Sequence, residues 1–367
     1  MKRTLPAVVL AVILSCLLPF LSRSAVETAP AAVTPLQVVF IDVGHGDCVW
    51  IKTPDDGIPG NGRCEGYNVI IDGGPSSKKI YPLLTAVGFK YGAAVEWMFC
   101  THAHNDHYRG LIGILNGAEV KRVVDPGYRH DGEAYGAFCW NAVIEPGCVF
   151  YSPAIGVSAV PVLKSLSPSA PCSLDWGKEL EATILYSNPA VSEDSINNSS
   201  LVLKLTYGTV SFLFTGDIEG KYRPDASGKN DVDHPSFVEK ALLDQYGKGT
   251  SLRATILKIP HHGSETSSTA PFIAAVSPKE GIICAGNRYG LPDDSLIRRY
   301  EAAGCRIWRM DRLDREKPAA ECHGDDHVIV TTDGKNYQIG YLKPDPREKA
   351  GAPTPSPAGS SNDQPQK

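Results

Sequence analysis

Four side chains able to bind a metal ion fall within six positions, His102-Ala103-His104-Asn105-Asp106-His107, where the apolar run 95–101 ends. A lone histidine is ordinarily a plain surface or core residue, but this density calls for a shared purpose. His102 and His104, two apart at a strand end, can point at one ion. Asp106 and His107 lie where the chain turns into a helix and can reach a second. The fold must therefore end a buried strand at a site and start a helix from it.

A second histidine pair, His261-His262, follows another apolar run, 254–259, and is itself followed by Gly263-Ser264. Between the two runs, the apolar residues 211–214 lead into Thr215-Gly216-Asp217. An aspartate placed so at a strand end can bridge two ions. Asp72 before Gly73-Gly74, and Asp42 and Asp47 around Gly44-His45-Gly46, have similar settings, although each alone is more often a turn residue. Two ions a few ångströms apart generate a hydroxide and clamp an oxyanion, which suits hydrolysis of phosphate esters or carbonyl compounds. No GxSxG elbow, P-loop or GxGxxG fingerprint competes.

The rest of the chain reads as one domain with extensions. Strands are expected at 36–43, 47–52, 68–72, 95–101, 119–124, 201–206, 209–214, 254–259 and 281–284, with a closing hairpin of 328–332 and 337–341. Helices are expected at 78–87, 234–246 and 293–303, and 125–175 reads as irregular. Hydrophobic residues make up 42% of 367, enough to fill a sizeable core. The net charge of −5 supplies no basic field for tight sequence-independent binding to duplex nucleic acid. Lys2 and Arg3 followed by the apolar stretch 5–21 and Ser22-Arg23-Ser24-Ala25 read as a cleaved export signal over 1–25. The alternative is an uncleaved membrane anchor. A linker then spans 26–35, the domain 36–343, and a disordered Pro/Ser-rich tail 344–367. Ten cysteines include Cys16 in the leader, and an oxidising destination would pair some of the rest. Cys139 with Cys148 and Cys305 with Cys322 are plausible pairs.

The ordered series of motifs resembles the metallo-β-lactamase fold superfamily. It is most similar to the hydrolase domain of the ComEC competence channel and its stand-alone relatives. The resemblance runs over 36–342 and rests on 40–47, Ile71 to Gly74, Asn197 to Leu203, Thr215 to Asp217, Lys258 to Ser264, and Asn287-Arg288-Tyr289-Gly290. It implies an α/β fold, a four-layer αβ/βα sandwich in a single domain, with the site on one edge. It implies His102 and His104 on a first divalent ion, Asp106, His107 and His262 on a second, and Asp217 bridging both. Asp106 and His261 would serve catalysis, with His261 against substrate or leaving group, and Asp72 would support from behind. A further histidine common in the superfamily is missing from Asn197 to Ser200, as in ComEC-type domains, which disfavours a true β-lactamase and suits a more open site. Three positions depart from the pattern: His45 stands for a usual Gln, Arg109 for the first glycine after the Asp-His pair, and Leu291 for a histidine.

The reading that follows is an exported metal-dependent hydrolase of phosphodiester bonds, in a nucleic acid or a smaller ester. It would be secreted or periplasmic, touching membrane only through its leader and needing no obligate protein partner. Zinc suits the His and Asp ligands, and manganese fits a two-metal phosphoesterase as well. The alternatives are a hydrolase of lactams, lactones or thioesters, and a metal-stabilised binding protein.

Overall fold

The computed structural model describes residues 33–128, 132–152, 172–188, 193–223, 232–286, 288–312 and 324–343. The proposed leader, most of the linker, the tail and Cys322 lie outside them. No helix among the described residues is long and apolar enough to cross a membrane.

Two mixed sheets face each other. The first has eight strands: β1 Leu36–Phe40, β2 Val49–Lys52, β3 Asn68–Ile71, β4 Trp97–Phe99, β5 Arg122–Val124, β6 Val149–Tyr151, β14 Val328–Thr332 and β15 Tyr337–Tyr341. They lie in the order β15-β14-β1-β2-β3-β4-β5-β6. The second has seven: β7 Cys172–Leu174, β8 Leu180–Tyr186, β9 Val202–Tyr207, β10 Val210–Phe214, β11 Ile256–Lys258, β12 Glu280–Ile283 and β13 Arg306–Arg309, in the order β13-β12-β11-β10-β9-β8-β7.

Alternation decides which face each residue takes. In β1, Val38 and Phe40 enter the core between the sheets, while Val39 and Ile41 just beyond it turn to the outer face. Phe40 meets Phe214 of the opposite sheet, and Phe214 stacks on Phe212, each with ring centroids 6.1 Å apart. Helices cover both outer faces. On the first sheet these are α1 Ile80–Ala86, α2 Asn105–Leu115 and α3 Glu133–Ile144. On the second they are α4 Phe237–Tyr246, α5 Ala270–Val276 and α6 Asp294–Ala302. The result is the expected four-layer αβ/βα sandwich.

The segment read as irregular contains α3, β6 and β7. Tyr135, Phe138, Cys139 and Ala142 give α3 an inward stripe at helical spacing, but Trp140 and Ile144 on its outer side are apolar and exposed. That removes the contrast from which a helix is recognised. The strands β8 and β13 and the helix α5 are likewise absent from the sequence reading. Cys139 and Cys148 do not pair: each is a free thiol, and Cys139 packs inward in the cluster beneath α3.

One close crossing aligns the site. Gly73 and Gly110 of α2 pass so near that a Cβ on Gly110 would lie 1.7 Å from the Gly73 carbonyl oxygen. Gly73 N–H donates to His107 O at 2.7 Å and Gly110 N–H to Gly74 O at 2.9 Å, so the contact seats α2 on the end of β3. Gly110→Ala forces backbone apart and is expected to cost about 3 kcal/mol. A wild-type midpoint in denaturant unfolding would refute that.

Candidate metal centre

The candidate residues come from strand ends along one edge of the sandwich. Asp47 lies on the turn from β1 to β2, Asp72 follows β3, and His102 to His107 run from β4 into α2. Asp217 follows β10, and His261 and His262 follow β11. Because β3 pairs parallel with β4, and β10 with β11, their carboxyl ends reach the same edge.

Asp72 organises the first cluster. It sits in the left-handed region at φ 57° and is fully buried. Its carboxylate accepts from Thr101 N at 2.8 Å, Thr101 Oγ1 at 2.7 Å and His107 Nδ1 at 2.9 Å. The last bond fixes the His107 tautomer, so Nε2 presents its lone pair to the site. His262 is held likewise: its Nδ1–H donates to Cys284 O at 2.7 Å. Both His261 and His262 have positive φ, 51° and 53°, so the turn that aims them is conformationally costly.

The buried Asp217 lies at the centre. Its Oδ2 is 3.0 Å from His262 Nε2, 3.2 Å from His107 Nε2 and 3.9 Å from His102 Nε2. His102 Nε2 is 3.0 Å from His104 Nδ1, and His262 Nε2 is 3.4 Å from Asp106 Oδ2. Two groups of side chains bring ligand atoms close enough to hold a metal ion: Asp47, His107, Asp217 and His262, and His45, Asp106 and His262, while His102 and His104 adjoin Asp217 on its other side. His107 Nε2 and His262 Nε2 stand 3.4 Å apart with both Nδ1 atoms already engaged. Two imidazole nitrogens converging on each other and on a carboxylate oxygen call for positive charge among them, which protons supply when the site holds no metal and a metal ion can supply in their place. Ligand atoms on a zinc tetrahedron lie about 3.3 Å apart for bonds of about 2.0–2.1 Å. The site therefore fits divalent ions.

The electrostatics agree. Burial works to raise the Asp217 pKa, but His262, His107 and Lys258 together bring it well below the usual carboxylate range. Burial works against charging His107 and His262, yet Asp217 and other carboxylates hold both well above the ordinary imidazole range. His102 and His104 go the other way, lowered first by burial and then by the His107 charge. The centre draws positive charge.

His261 stands at the rim, partly exposed. It accepts from Asn197 Nδ2 at 3.2 Å through Nε2 and donates to Thr266 Oγ1 at 2.9 Å through Nδ1. The segment without a histidine serves as a bracket here: Asp217 N–H donates to Ser200 Oγ at 3.0 Å, and Asn198 exchanges two hydrogen bonds with Glu219.

The sequence reading gives Lys258 no role. Buried at the end of β11, its ammonium pairs with Asp47, donates to Gly216 O at 2.8 Å and reaches Asp217 Oδ1 at 3.2 Å. It grips Asp217 by the oxygen turned from the imidazoles. A single lysine inside an otherwise apolar run is the signal that would have found it.

The chain is similar to several known proteins. ComE operon protein 3 of Bacillus subtilis (strain 168) is 28% identical over 300 residues, which are 75% of this chain and 32% of that protein. Competence protein ComA of Neisseria gonorrhoeae is 32% identical over 117 residues, 31% of this chain and 14% of that one. The chain thus spans about a third or less of the length of these relatives. A solved metal-dependent hydrolase of the beta-lactamase superfamily, Tm1679, aligns with a TM-score of 0.41 at 13% identity, covering 75% of this chain and 95% of its own. The sequence model of the metallo-beta-lactamase superfamily matches residues 64–287, well over half the chain. With its sandwich and its cluster of buried histidines and aspartates at one edge, the chain belongs to the metallo-beta-lactamase superfamily.

Proposed function

We propose that the protein hydrolyses phosphodiester bonds with two divalent ions, one on His102 and His104, one on Asp106, His107 and His262, and Asp217 shared between them. The observation that carries this reading is the position of Asp217 Oδ2 within 3.9 Å of three imidazole nitrogens belonging to both sets. When bound, such a pair of ions lowers the pKa of water and neutralises charge developing on phosphorus-bound oxygens. The chain's own residues do the placing. Asp72 fixes His107, Cys284 O fixes His262, and Lys258 fixes Asp217. Asp106, partly open to solvent, closes the site on the side of α2, and His261 at the rim is placed to meet the substrate or its leaving group. Among the described residues the first set has two imidazoles and no third, and Asn197 stands alongside His261, an arrangement that suits a phosphate ester. Relatives named for competence, and Recombination protein 2 of Haemophilus influenzae at 24% identity, support a nucleic-acid phosphodiester over a lactam. Lys2 and Arg3 ahead of a long apolar stretch support export to the periplasm or the medium.

The test is hydrolysis of bis(p-nitrophenyl) phosphate by chelated protein, before and after zinc or manganese is returned. Turnover is expected to vanish with chelation and reappear with one of the two metals. A folded, metal-loaded sample that turns over nitrocefin and not the phosphodiester would overturn the proposal. N-terminal sequencing of the same preparation should begin at Val26 if the leader is cleaved.

A further inference from the structure

His45 occupies a position that the ligand set above does not use. Its side chain is 8% exposed, and its Nε2 lies 3.7 Å from Asp106 Oδ2. Its ring centroid is 4.4 Å from that of His262. His45, Asp106 and His262 each offer a ligand atom within 4.8 Å of the others. The Nδ1 atom is buried without a hydrogen-bond partner, and Nε2 makes no hydrogen bond that a metal would have to break.

The backbone holds this imidazole in place. A Cβ on Gly46, which has φ 139°, would lie 2.3 Å from Asp106 O, and one on Gly286 would lie 2.6 Å from His45 N. Asp47 N–H donates to Asp106 O at 3.3 Å. The loop carrying His45 is thus pressed between the first turn of α2 and the end of β12. On the solvent side the Tyr289 ring stands edge-on to His45 at 5.1 Å, with the Arg288 guanidinium 5.2 Å from the tyrosine centroid. Nothing in this packing serves a substrate-facing histidine: the ring is covered from outside and faces the donors.

We propose that His45 is a further ligand of the ion held by Asp106, His107 and His262. The separations of 3.7 Å from Asp106 and 3.4 Å between Asp106 and His262 match neighbouring positions around one ion with bonds of about 2.0–2.2 Å. The two ions then differ in kind. The second has three imidazoles, a carboxylate of its own and a share of Asp217, whereas the first has two imidazoles and the same share. Imidazole donors favour zinc over manganese, so the second position becomes the tight, zinc-selective one and the first the open position where substrate oxygen enters. The inference rests on the two-ion reading.

Zinc titration of chelated protein, followed by metal analysis after dialysis, separates the two claims. Wild-type protein should bind two ions, the first far more tightly. His45→Gln should weaken the tight event at least about tenfold and leave the weak one in place. X-ray absorption on wild-type protein loaded with one zinc should count three imidazoles. Two ions bound with unchanged affinities in His45→Gln, or two imidazoles in the singly loaded wild type, would overturn the claim that His45 makes the second position the tight one. Fewer than two ions in the wild type would overturn the two-ion reading itself. Because the absorption count uses the natural protein, it decides the matter even if the variant does not fold.

Discussion

Asp217→Asn is expected to lower phosphodiester turnover about a thousandfold or more, equivalent to about 4 kcal/mol of transition-state stabilisation. The substitution keeps the size of the side chain and removes the negative charge that three imidazoles and an ammonium face. In the proposed two-ion arrangement Asp217 serves both donor sets, so the change would weaken both ions together. The bound metal should fall from two equivalents to at most one under conditions that saturate the wild type. His104→Ala gives a contrast, because it strips one set and leaves Asp106, His107 and His262 intact. Retention of both ions and wild-type turnover by Asp217→Asn would end the case for a shared carboxylate.

Lys258→Met should give the largest loss of stability. The ammonium is 2% exposed and sits between Asp47 and Asp217, both almost fully buried. Burial opposes its charge, but Asp47 and Asp217 hold its pKa above the usual lysine value, so it is charged throughout the working range of pH. Removing one partner of a buried charge cluster strands the others, at a cost of about 3–5 kcal/mol. Removing Asp47 as well, as Lys258→Met with Asp47→Leu, should recover part of that loss, since fewer unpaired charges then remain. Urea unfolding of the chelated proteins reads this directly. A single variant within about 0.5 kcal/mol of wild type would show that the ammonium does not hold the cluster together.

The sequence disclosed the parts of the centre that are contiguous and missed those assembled across the fold. His102 to His107, Asp217 and His262 are legible because each sits in a short motif after an apolar strand. Lys258 is in such a motif too, yet its meaning depends on Asp47, some two hundred residues earlier, and no local pattern joins them. His45 looked like a mere departure from a family pattern, and its value appears only when Gly46 and Gly286 are seen to press its loop toward Asp106. The fold was legible where alternation or turn signals were clean, as in β1, β9, β10 and the closing hairpin. It was not legible in α3, whose exposed Trp140 and Ile144 disguise its inward face, or in β13, a strand with no fully buried position.

The donors are divided between the two sheets: His102 to His107 belong to the first half of the chain, Asp217 and His262 to the second. Neither half alone can offer a complete set of ligands. During synthesis the histidine cluster emerges more than a hundred residues ahead of the shared aspartate, so an early ion meets a partial site and is held weakly. Tight capture waits until the sandwich has closed. Metal binding and closure of the sandwich are therefore linked: an ion held by the complete site stabilises the joined halves over either one alone.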